Sequence, residues 1–352
     1  MRILVVKPSS FGDIIMTLPA LALLRRTHPD AELGWFVNAE FAGLLDGHPL
    51  LARLHVWDRG RRGSIAGFVR GAISLRHTLR EVRALAYDVA YDFQGLLRSG
   101  VIAKRSGAPV RIGFSDAREM SAAFYTDKRT VPPNAVHAVD RYRALVDPQA
   151  ADKVAFPLAV DDAARAEAQA LLGSLSLQPR ERFLAVNPGA RWPSKCWPPE
   201  RFGAVARRLH DETGLRTVCV GSASFRTEAD AVKNAAGDAV LDATGRTSLK
   251  GLAALLQKAQ FLLTNDSGPM HLAVAVGTPV VALFGPTDPA KIGPYGTGHE
   301  VVRAPVDCMP CSKRDCPEKR SCLDMLDANT VINACARMLD RLRARNDTGR
   351  PS

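Results

Sequence analysis

The sequence contains no long hydrophobic run. No apolar stretch approaches the roughly 20 residues that a membrane-spanning helix needs, and Lys7 and Asp13 interrupt the apolar start of the chain before a signal-peptide core is complete. A membrane-spanning or exported protein is therefore not expected, and cytoplasmic residence is the default expectation. Apolar residues make up 46% of the 352 residues and charged residues 24%, the balance of a soluble globular protein with room for two domains.

An excess of acidic residues is also lacking. The chain has 47 Lys and Arg against 36 Asp and Glu, and residues 1–157 hold 22 basic against 15 acidic side chains. Seven arginines and one acid lie between residues 59 and 83. This charge favours an anionic partner, namely nucleic acid, a phosphorylated substrate or an anionic membrane surface. Charge alone fits a solvated basic face equally well.

Short apolar strands alternate with helical patterns along the whole chain. Residues 3–6 predict a strand, and apolar residues at helical spacing predict a helix from about Gly12 to Arg26. This alternation predicts an α/β protein with doubly wound parallel sheets. A restart between residues 147 and 161 predicts two Rossmann-like domains, 1–157 and 158–352, with the option that the last helix (329–345) packs back on the first domain. Further strands are predicted at AELGWFV, YDVAYDF, FLAVNPG, TVCVGS, AVLDAT, FLLTNDSG and TPVVALFGP.

Polar loops follow several of these strands, at the sheet edge where open α/β folds bind ligands. The first is PSSFGD rather than the G-x-G-x-x-G of dinucleotide-binding folds, which counts against a nicotinamide-dependent oxidoreductase. In NDSGPMH a helix is predicted to begin near Pro269, and its free N–H groups and dipole suit a phosphate. Each residue also has an ordinary alternative: Asp266 as a helix N-cap, His271 as a buried helix residue, and Lys195 as an exposed loop lysine.

Three segments resemble the signature stretches of glycosyltransferase family 9, the family of the lipopolysaccharide heptosyltransferases: VKPSSFGDIIMTLPAL, NPGARWPSKCWPPERF and NDSGPMHLAVAVGTPVVALFGPTDPAKIGPYG. The similarity extends over nearly the whole chain, including HAVDRYRAL in the first half. The combination of K-x-S-S-x-G-D with D-S-G-x-x-H and G-P-T-D-P is specific. The resemblance implies a GT-B fold, in which two Rossmann-like domains face one another across a cleft.

The resemblance also implies a reaction and its residues. Heptose would move from ADP-heptose, held by the C-terminal domain, to the Kdo-bearing lipid A core, held by the N-terminal domain, with inversion at the anomeric carbon. Asp13 would be the general base, and Lys195 would neutralise the departing diphosphate. The implied donor contacts are Arg191, Lys195, Gly221, Ser222, Asp266, Ser267, Gly268 and His271. The implied acceptor contacts are Lys7, Ser9, Ser10, Gly12, Arg61, Arg62, Arg118 and Arg141.

Asp-x-Asp, the pair that holds a divalent ion in metal-dependent glycosyltransferases, occurs nowhere in the sequence. The expectation is transfer without a catalytic metal. Arg76, Arg80 and Arg83 share one predicted helix face, which fits either the anionic surface of the inner membrane or solvent. A peripheral enzyme on the cytoplasmic side of that membrane is therefore expected, with no nucleic-acid partner.

Four cysteines cluster as C-x2-C-x4-C-x5-C: Cys308, Cys311, Cys316 and Cys322. This spacing fits a structural zinc site, less well an iron–sulfur ligand set, and equally four free thiols. A nucleic-acid-binding protein with a zinc knuckle is an alternative function, although the segment lacks the aromatic residues that stack on bases. A family member that uses another nucleotide sugar is the nearer alternative.

Overall fold

The computed structural model describes residues 1–60, 63–178, 180–318 and 321–347. It divides the chain into two compact units, Met1–Ala159 and Val160–Ser352, against the predicted boundary of 157/158. Among the described residues, no helix is both long enough and apolar enough to cross a membrane.

Unit 1 alternates strands and helices over its described residues, and all of its strand pairs are parallel. Its sheet order is β3-β2-β1-β4-β5-β6, the strand order of the Rossmann fold. The elements are β1 (Arg2–Val6), α1 (Phe11–Thr27), β2 (Glu32–Asn38), α2 (Ala39–Leu45), β3 (Arg53–Trp57), α3 (Ile65–Ala84), β4 (Val89–Asp92), α4 (Leu97–Arg105), β5 (Val110–Phe114), β6 (Asp127–Arg129) and α5 (Ala138–Val146).

Unit 2 repeats the same plan in its described part. Its parallel sheet has the order β12-β11-β10-β7-β8-β9, which read from the other edge is again the Rossmann order. The elements are α6 (Asp162–Ser174), β7 (Phe183–Asn187), α7 (Pro199–Thr213), β8 (Arg216–Cys219), α8 (Arg226–Ala236), β9 (Val240–Asp242), α9 (Leu249–Lys258), β10 (Leu262–Asn265), α10 (Gly268–Ala275), β11 (Val280–Phe284), α11 (Pro289–Ile292), β12 (Glu300–Arg303) and α12 (Ala328–Asp347).

The central strands are covered on both faces. Residues 3–6 of β1 and all five residues of β11 are 0% exposed, which explains why these strands read as continuous apolar runs rather than alternating ones. The prediction of doubly wound parallel sheets is confirmed. The last helix, α12, packs on α7, β11 and β12 of its own unit.

In each sheet the chain adds its first strands on one side of the starting strand and then returns to add the others on the opposite side. We call the gap between the two strands where this change occurs the reversal point. In unit 1 it lies between β1 and β4, and in unit 2 between β7 and β10. In such sheets the crevice outside the carboxyl ends of these two strands is where ligands bind. Ligand-binding residues are therefore expected in the loops after β1 and β4, and after β7 and β10.

Candidate active site

In unit 1, Lys7 follows the end of β1 and is almost completely enclosed. Its side chain is 2% exposed, and Nζ donates to the backbone oxygen of Phe93 at 3.0 Å and to the Tyr142 hydroxyl at 2.9 Å. Phe93 follows the end of β4, so Lys7 joins the two strand ends. Because the Lys7 ammonium is enclosed, it is better placed to act on the charges of neighbouring groups than to contact an incoming acceptor.

Asp13 lies in the first turn of α1, at the third helical position. The backbone N–H and the hydroxyl of Ser10 both donate to its Oδ2, at 3.2 and 2.7 Å. The Tyr142 hydroxyl donates to Oδ1 at 3.1 Å, and Lys7 Nζ lies 3.8 Å from the same oxygen. A third of the side chain (33%) remains exposed. The carboxylate thus helps to cap α1 while staying open to a substrate.

These contacts control the protonation of Asp13. Burial raises the pKa of its carboxyl group, but the Lys7 ammonium and the hydrogen bonds from Ser10 and Tyr142 outweigh burial, so the pKa lies below its ordinary value. Burial and the Asp13 charge hold the pKa of Tyr142 well above its ordinary value. At neutral pH, Asp13 is therefore an anion and Tyr142 a protonated donor.

Tyr142 was missed by the sequence analysis. It reaches Asp13 because α5 packs against α1, a contact between elements more than a hundred residues apart. The available signal was its place in HAVDRYRAL, one of the segments that resemble glycosyltransferase family 9.

Two other predicted acceptor residues are sequence neighbours of Ser10 and Asp13, one in the loop after β1 and one in α1. The Ser9 backbone N–H donates to Oε1 of Gln94 at 3.3 Å, which ties this loop to the one after β4. Gly12 is buried in the first turn of α1, next to Asp13. Arg61 and Arg62, also predicted to contact the acceptor, lie outside the described residues.

The remaining predicted acceptor residues, Arg118 and Arg141, are close to this cluster in different ways. The Arg118 charge lowers the pKa of both Lys7 and Tyr142, so its guanidinium lies within electrostatic reach of the cluster. Arg141 Nη2 donates to both carboxylate oxygens of Asp116, at 3.0 and 2.8 Å. An anionic acceptor at Arg141 would have to share that guanidinium with Asp116.

In unit 2, Lys195 and Asp266 form an enclosed ion pair. Lys195 Nζ lies 2.6 Å from Asp266 Oδ2, and the two side chains are 14% and 4% exposed. The Thr287 hydroxyl donates to the same carboxylate oxygen at 2.6 Å. Lys195 is therefore not an exposed loop lysine, and Asp266 is not a helix cap, because Ser267 holds the N-cap position of α10.

Asn187, at the end of β7, connects the predicted donor residues and was also missed. Its side chain is buried, and Nδ2 donates to the hydroxyls of Ser267 and Thr264 at 2.9 and 3.1 Å. Gly221, after β8, has φ of +151°, and a Cβ there would lie 3.2 Å from Asn187 Oδ1. The Gly221 backbone thus approaches the Asn187 amide at a position that disfavours any side chain.

The other predicted donor residues lie along the same sheet edge. Gly268 is the first residue of α10, and His271 follows in its first turn, where it is 7% exposed. Arg191 and Ser222 are exposed in the loops after β7 and β8. Because β10, β7 and β8 are neighbours in the sheet, their carboxyl ends place all of these residues at one edge.

The segment 307–326, which carries the four clustered cysteines, touches the Lys195 loop. The Ser194 hydroxyl donates to the backbone oxygen of Lys313 at 2.8 Å, and the Ser194 N–H to that of Arg314 at 3.4 Å. Cys322 is buried against Gly285, where an added Cβ would lie 2.8 Å from its Sγ. The cysteine segment therefore braces the loop that holds Lys195.

The four thiols are neighbours but are not assembled as a ligand set. Burial raises the pKa of Cys322, and the charges of Cys316, Cys311 and Cys308 add to that rise. Among the described residues, no group of three or more His, Cys, Asp or Glu side chains is arranged to hold a metal ion. The structural-metal prediction stays a prediction.

Two cavities of about 230 Å³ each lie on the side of the unit 2 sheet where β7 and β10 begin, opposite to the predicted donor residues. Gln260, just before β10, borders both, and Phe183, the first residue of β7, borders one. They face the amino ends of the strands and contain none of the predicted donor residues.

Comparison with known proteins gives a consistent result. The profile of glycosyltransferase family 9 (heptosyltransferase) matches residues 74–321. Lipopolysaccharide heptosyltransferase 1 of Pseudomonas aeruginosa is 32% identical over 90% of this chain and 87% of its own. The structure of a glycosyl transferase family 9 protein from Veillonella parvula superposes with a TM-score of 0.81 at 26% identity, covering 97% of both chains.

The Escherichia coli heptosyltransferase WaaC is a further structural relative. Its structure with ADP gives a TM-score of 0.75 at 27% identity, covering 96% of this chain and 100% of that one. The same enzyme has also been solved with ADP-2-deoxy-2-fluoro heptose, at a TM-score of 0.72.

Proposed function

Because the chain belongs to glycosyltransferase family 9, we propose that it is an inverting heptosyltransferase that moves heptose from ADP-heptose to the inner core of lipopolysaccharide. The observation that carries this proposal is the 32% identity to a lipopolysaccharide heptosyltransferase over 90% of the chain. WaaC, 27% identical, binds ADP and an ADP-heptose analogue. The polar clusters at the two reversal points supply one site for each substrate.

Asp13 is the proposed general base. The acceptor hydroxyl attacks the anomeric carbon of heptose from the face opposite ADP, and its proton passes to the Asp13 carboxylate. Since the lowered pKa makes Asp13 a weak base, the carboxylate acts by position, accepting the proton as the new bond forms. Ser10 and Tyr142 fix that position through their hydrogen bonds.

Lys195 and the start of α10 are the proposed stabilisers of the ADP leaving group. As the bond to heptose breaks, negative charge develops on the diphosphate, and an ammonium with a helix N-terminus stabilises it. Asp266, paired with Lys195 at 2.6 Å, orients this ammonium. The role of Asp266 is thus to position Lys195 rather than to contact the phosphates, which it would repel.

Transfer is proposed to need no metal ion. The positive charge that a divalent ion supplies in Asp-x-Asp enzymes comes here from Lys195 and α10. Added magnesium should not raise the turnover measured in EDTA, and restoration by magnesium of an EDTA-inhibited enzyme would contradict this part of the proposal.

The proposed place of action is the cytoplasmic surface of the inner membrane, with the protein bound peripherally. The acceptor, a Kdo-bearing lipid A, is an anionic amphiphile that lies in a membrane surface. The basic excess of residues 1–157 supports such a partner.

Product analysis tests the function directly. Incubation with ADP-heptose and a truncated lipopolysaccharide acceptor should give a product that is one heptose heavier, with inverted anomeric configuration by NMR. Transfer of a different sugar from another nucleotide donor, with none from ADP-heptose, would favour the alternative substrate. No comparison supports the nucleic-acid-binding alternative.

A further inference from the structure

Helix α3 presents an exposed group of large apolar side chains. Ile65, Phe68, Val69 and Ile73 are 86%, 76%, 49% and 65% exposed. Elsewhere in the described residues, the large exposed apolar side chains are separated along the sequence. Single exposed apolar residues are ordinary, whereas a contiguous group marks a contact surface.

The rotation of α3 about its axis is fixed by contacts on its other side. Trp57 Nε1 donates to the backbone oxygen of Gly71 at 2.9 Å, and the Thr78 hydroxyl donates to that of Val56 at 2.9 Å. A Cβ on Gly71 would lie 2.3 Å from the backbone oxygen of Arg59, so position 71 admits only glycine. The apolar side chains therefore cannot turn inward.

The exposed side continues into arginines along the helix. Its one acidic residue, Glu81, lies 3.5 Å from His77 Nδ1, to one side of them. At 100° per residue, the apolar and basic positions together span about 140° of the helix circumference. We call this surface the α3 face; its apolar half is Ile65, Phe68, Val69 and Ile73, and its basic half is the exposed Arg76, Arg80 and Arg83.

We propose that the α3 face docks on an anionic lipid bilayer, with the apolar half entering the interface and the arginines binding lipid phosphates. Helices bind bilayer interfaces through buried apolar side chains together with the electrostatic attraction of Lys and Arg to anionic lipids, and the α3 face offers both kinds of contact on one side. This inference deepens the peripheral membrane binding proposed above and rests on it, but it does not depend on the transfer chemistry.

A bilayer fits this face better than a second copy of the chain does. The apolar half of the α3 face lies toward the start of the helix and the basic half toward its end. Antiparallel pairing of two α3 helices would therefore set apolar residues against arginines. Parallel pairing would set arginine against arginine. An anionic membrane offers hydrocarbon and phosphate at adjacent depths, which complements both halves at once.

Vesicle co-sedimentation of the full chain tests the proposal. The protein should bind vesicles that contain phosphatidylglycerol, bind pure phosphatidylcholine vesicles weakly, and dissociate as salt is raised. The variant Ile65→Ser/Phe68→Ser should bind at least about tenfold more weakly, since two large apolar side chains lose their place in the interface. Arg76→Gln/Arg80→Gln should weaken binding and remove most of its salt dependence.

Matched controls separate the α3 face from general surface effects. Met120→Ser removes an equally exposed apolar side chain (81%), and Arg207→Gln/Arg208→Gln removes two exposed arginines from α7. Both should bind vesicles as the unmodified protein does. All variants should keep its melting temperature and its transfer to a soluble acceptor, so a failed transfer assay leaves the vesicle result interpretable.

Three results would overturn the proposal. The first is an unmodified protein that does not bind anionic vesicles. The second is equal binding by the unmodified protein and both α3 variants. The third is a variant whose oligomeric state by light scattering differs from that of the unmodified protein while vesicle binding is unchanged, which would make the face an interface between copies.

Discussion

At the scale of single residues, the same carboxylate serves structure and proposed chemistry. Asp13 accepts two hydrogen bonds from Ser10 at the start of α1 and one from Tyr142. A helix cap and a general base are thus compatible, because the cap uses Oδ2 while Oδ1 faces the Tyr142 hydroxyl and the Lys7 ammonium.

Replacing Asp13 with Asn should separate the two roles. Asn keeps an oxygen for the Ser10 hydrogen bonds but cannot take a proton, so Asp13→Asn should lower turnover roughly 100-fold or more while ADP binding, measured by calorimetry, is unchanged. Asp162→Asn, which alters another acid in the first turn of a helix, is the matched control and should leave turnover intact. Near-normal turnover of Asp13→Asn would show that another group takes the proton.

Tyr142→Phe should change the pH dependence of turnover. The Tyr142 hydrogen bond lowers the pKa of Asp13, so its loss raises that pKa. Because the carboxylate is the active form, activity falls as pH drops through this pKa, and the acid limb of the kcat profile should move to higher pH. The phenyl ring keeps the packing against Phe93.

The control for that variant is Tyr87→Phe, since the Tyr87 hydroxyl lies 2.7 Å from His55 Nε2, outside the Asp13 cluster. Its acid limb should match that of the unmodified protein. If Tyr142→Phe lowers turnover equally at all pH values, the Tyr142 hydroxyl acts on turnover other than through the pKa of Asp13.

At the scale of elements, loops from distant parts of the chain hold the proposed donor site. The loop after β7 carries Lys195, and the cysteine segment (residues 307–326) contacts it through Ser194. Trp197 Nε1 donates to the backbone oxygen of Leu326 at 2.9 Å, which adds a second brace. A substitution in the cysteine segment should therefore affect the position of Lys195, although the substituted residue itself does not contact substrate.

The metal content of the cysteine segment is a prediction at this scale. Protein purified without oxygen should carry about one zinc or iron ion per chain by mass spectrometry, because four thiolates at this spacing suit a tetrahedral site. The sulfurs would have to draw together around the ion, since metal binding and local folding are coupled. Metal should be lost in Cys311→Ser/Cys316→Ser.

Cys335→Ala, in the buried side of α12, is the control for that variant and should retain the metal. An unmodified protein without zinc or iron would mean that the four cysteines are free thiols. In that case, the KM of Cys311→Ser/Cys316→Ser for the donor would show whether the cysteine segment still supports the Lys195 loop.

At the scale of the whole molecule, one sheet plan is used twice. Both units have the Rossmann strand order, and both place their polar clusters beyond the strands at the reversal point. Each cluster contains a Lys–Asp pair, but the more exposed member is the Asp13 carboxylate in unit 1 (33% against 2%) and the Lys195 ammonium in unit 2 (14% against 4%). That difference suits a base on one unit and a diphosphate on the other.

Ligand stabilisation should distinguish the function classes. ADP at about 100 times its Kd should add about 2.7 kcal/mol to the free energy of unfolding, which corresponds to a rise of roughly 5–10 °C in the melting temperature of a unit of this size. NAD and oligonucleotides should give no rise, and Lys195→Ala should reduce the rise with ADP. Stabilisation by NAD alone would contradict the proposed function.

Much of the fold follows from local pattern. The apolar runs of β1, β7, β10 and β11 are buried on both sheet faces, so their sequences alone distinguish them as central parallel strands. The edge strands β6 (DKR) and β12 (EVVR) were not predicted, because they are three and four residues long and at least half of each is charged. Pairing with a neighbour, rather than their own composition, makes them strands.

The sequence by itself determined the two α/β halves, the segments that carry Asp13 and Lys195, and the family. Only the tertiary structure decided which side chains govern those two groups. Tyr142 and Thr287 reach Asp13 and Asp266 across 129 and 21 positions, and the apolar half of α3 is exposed because glycines pack on its other side. Periodicity reports neighbours along a helix or strand, whereas hydrogen bonds between elements depend on how those elements pack.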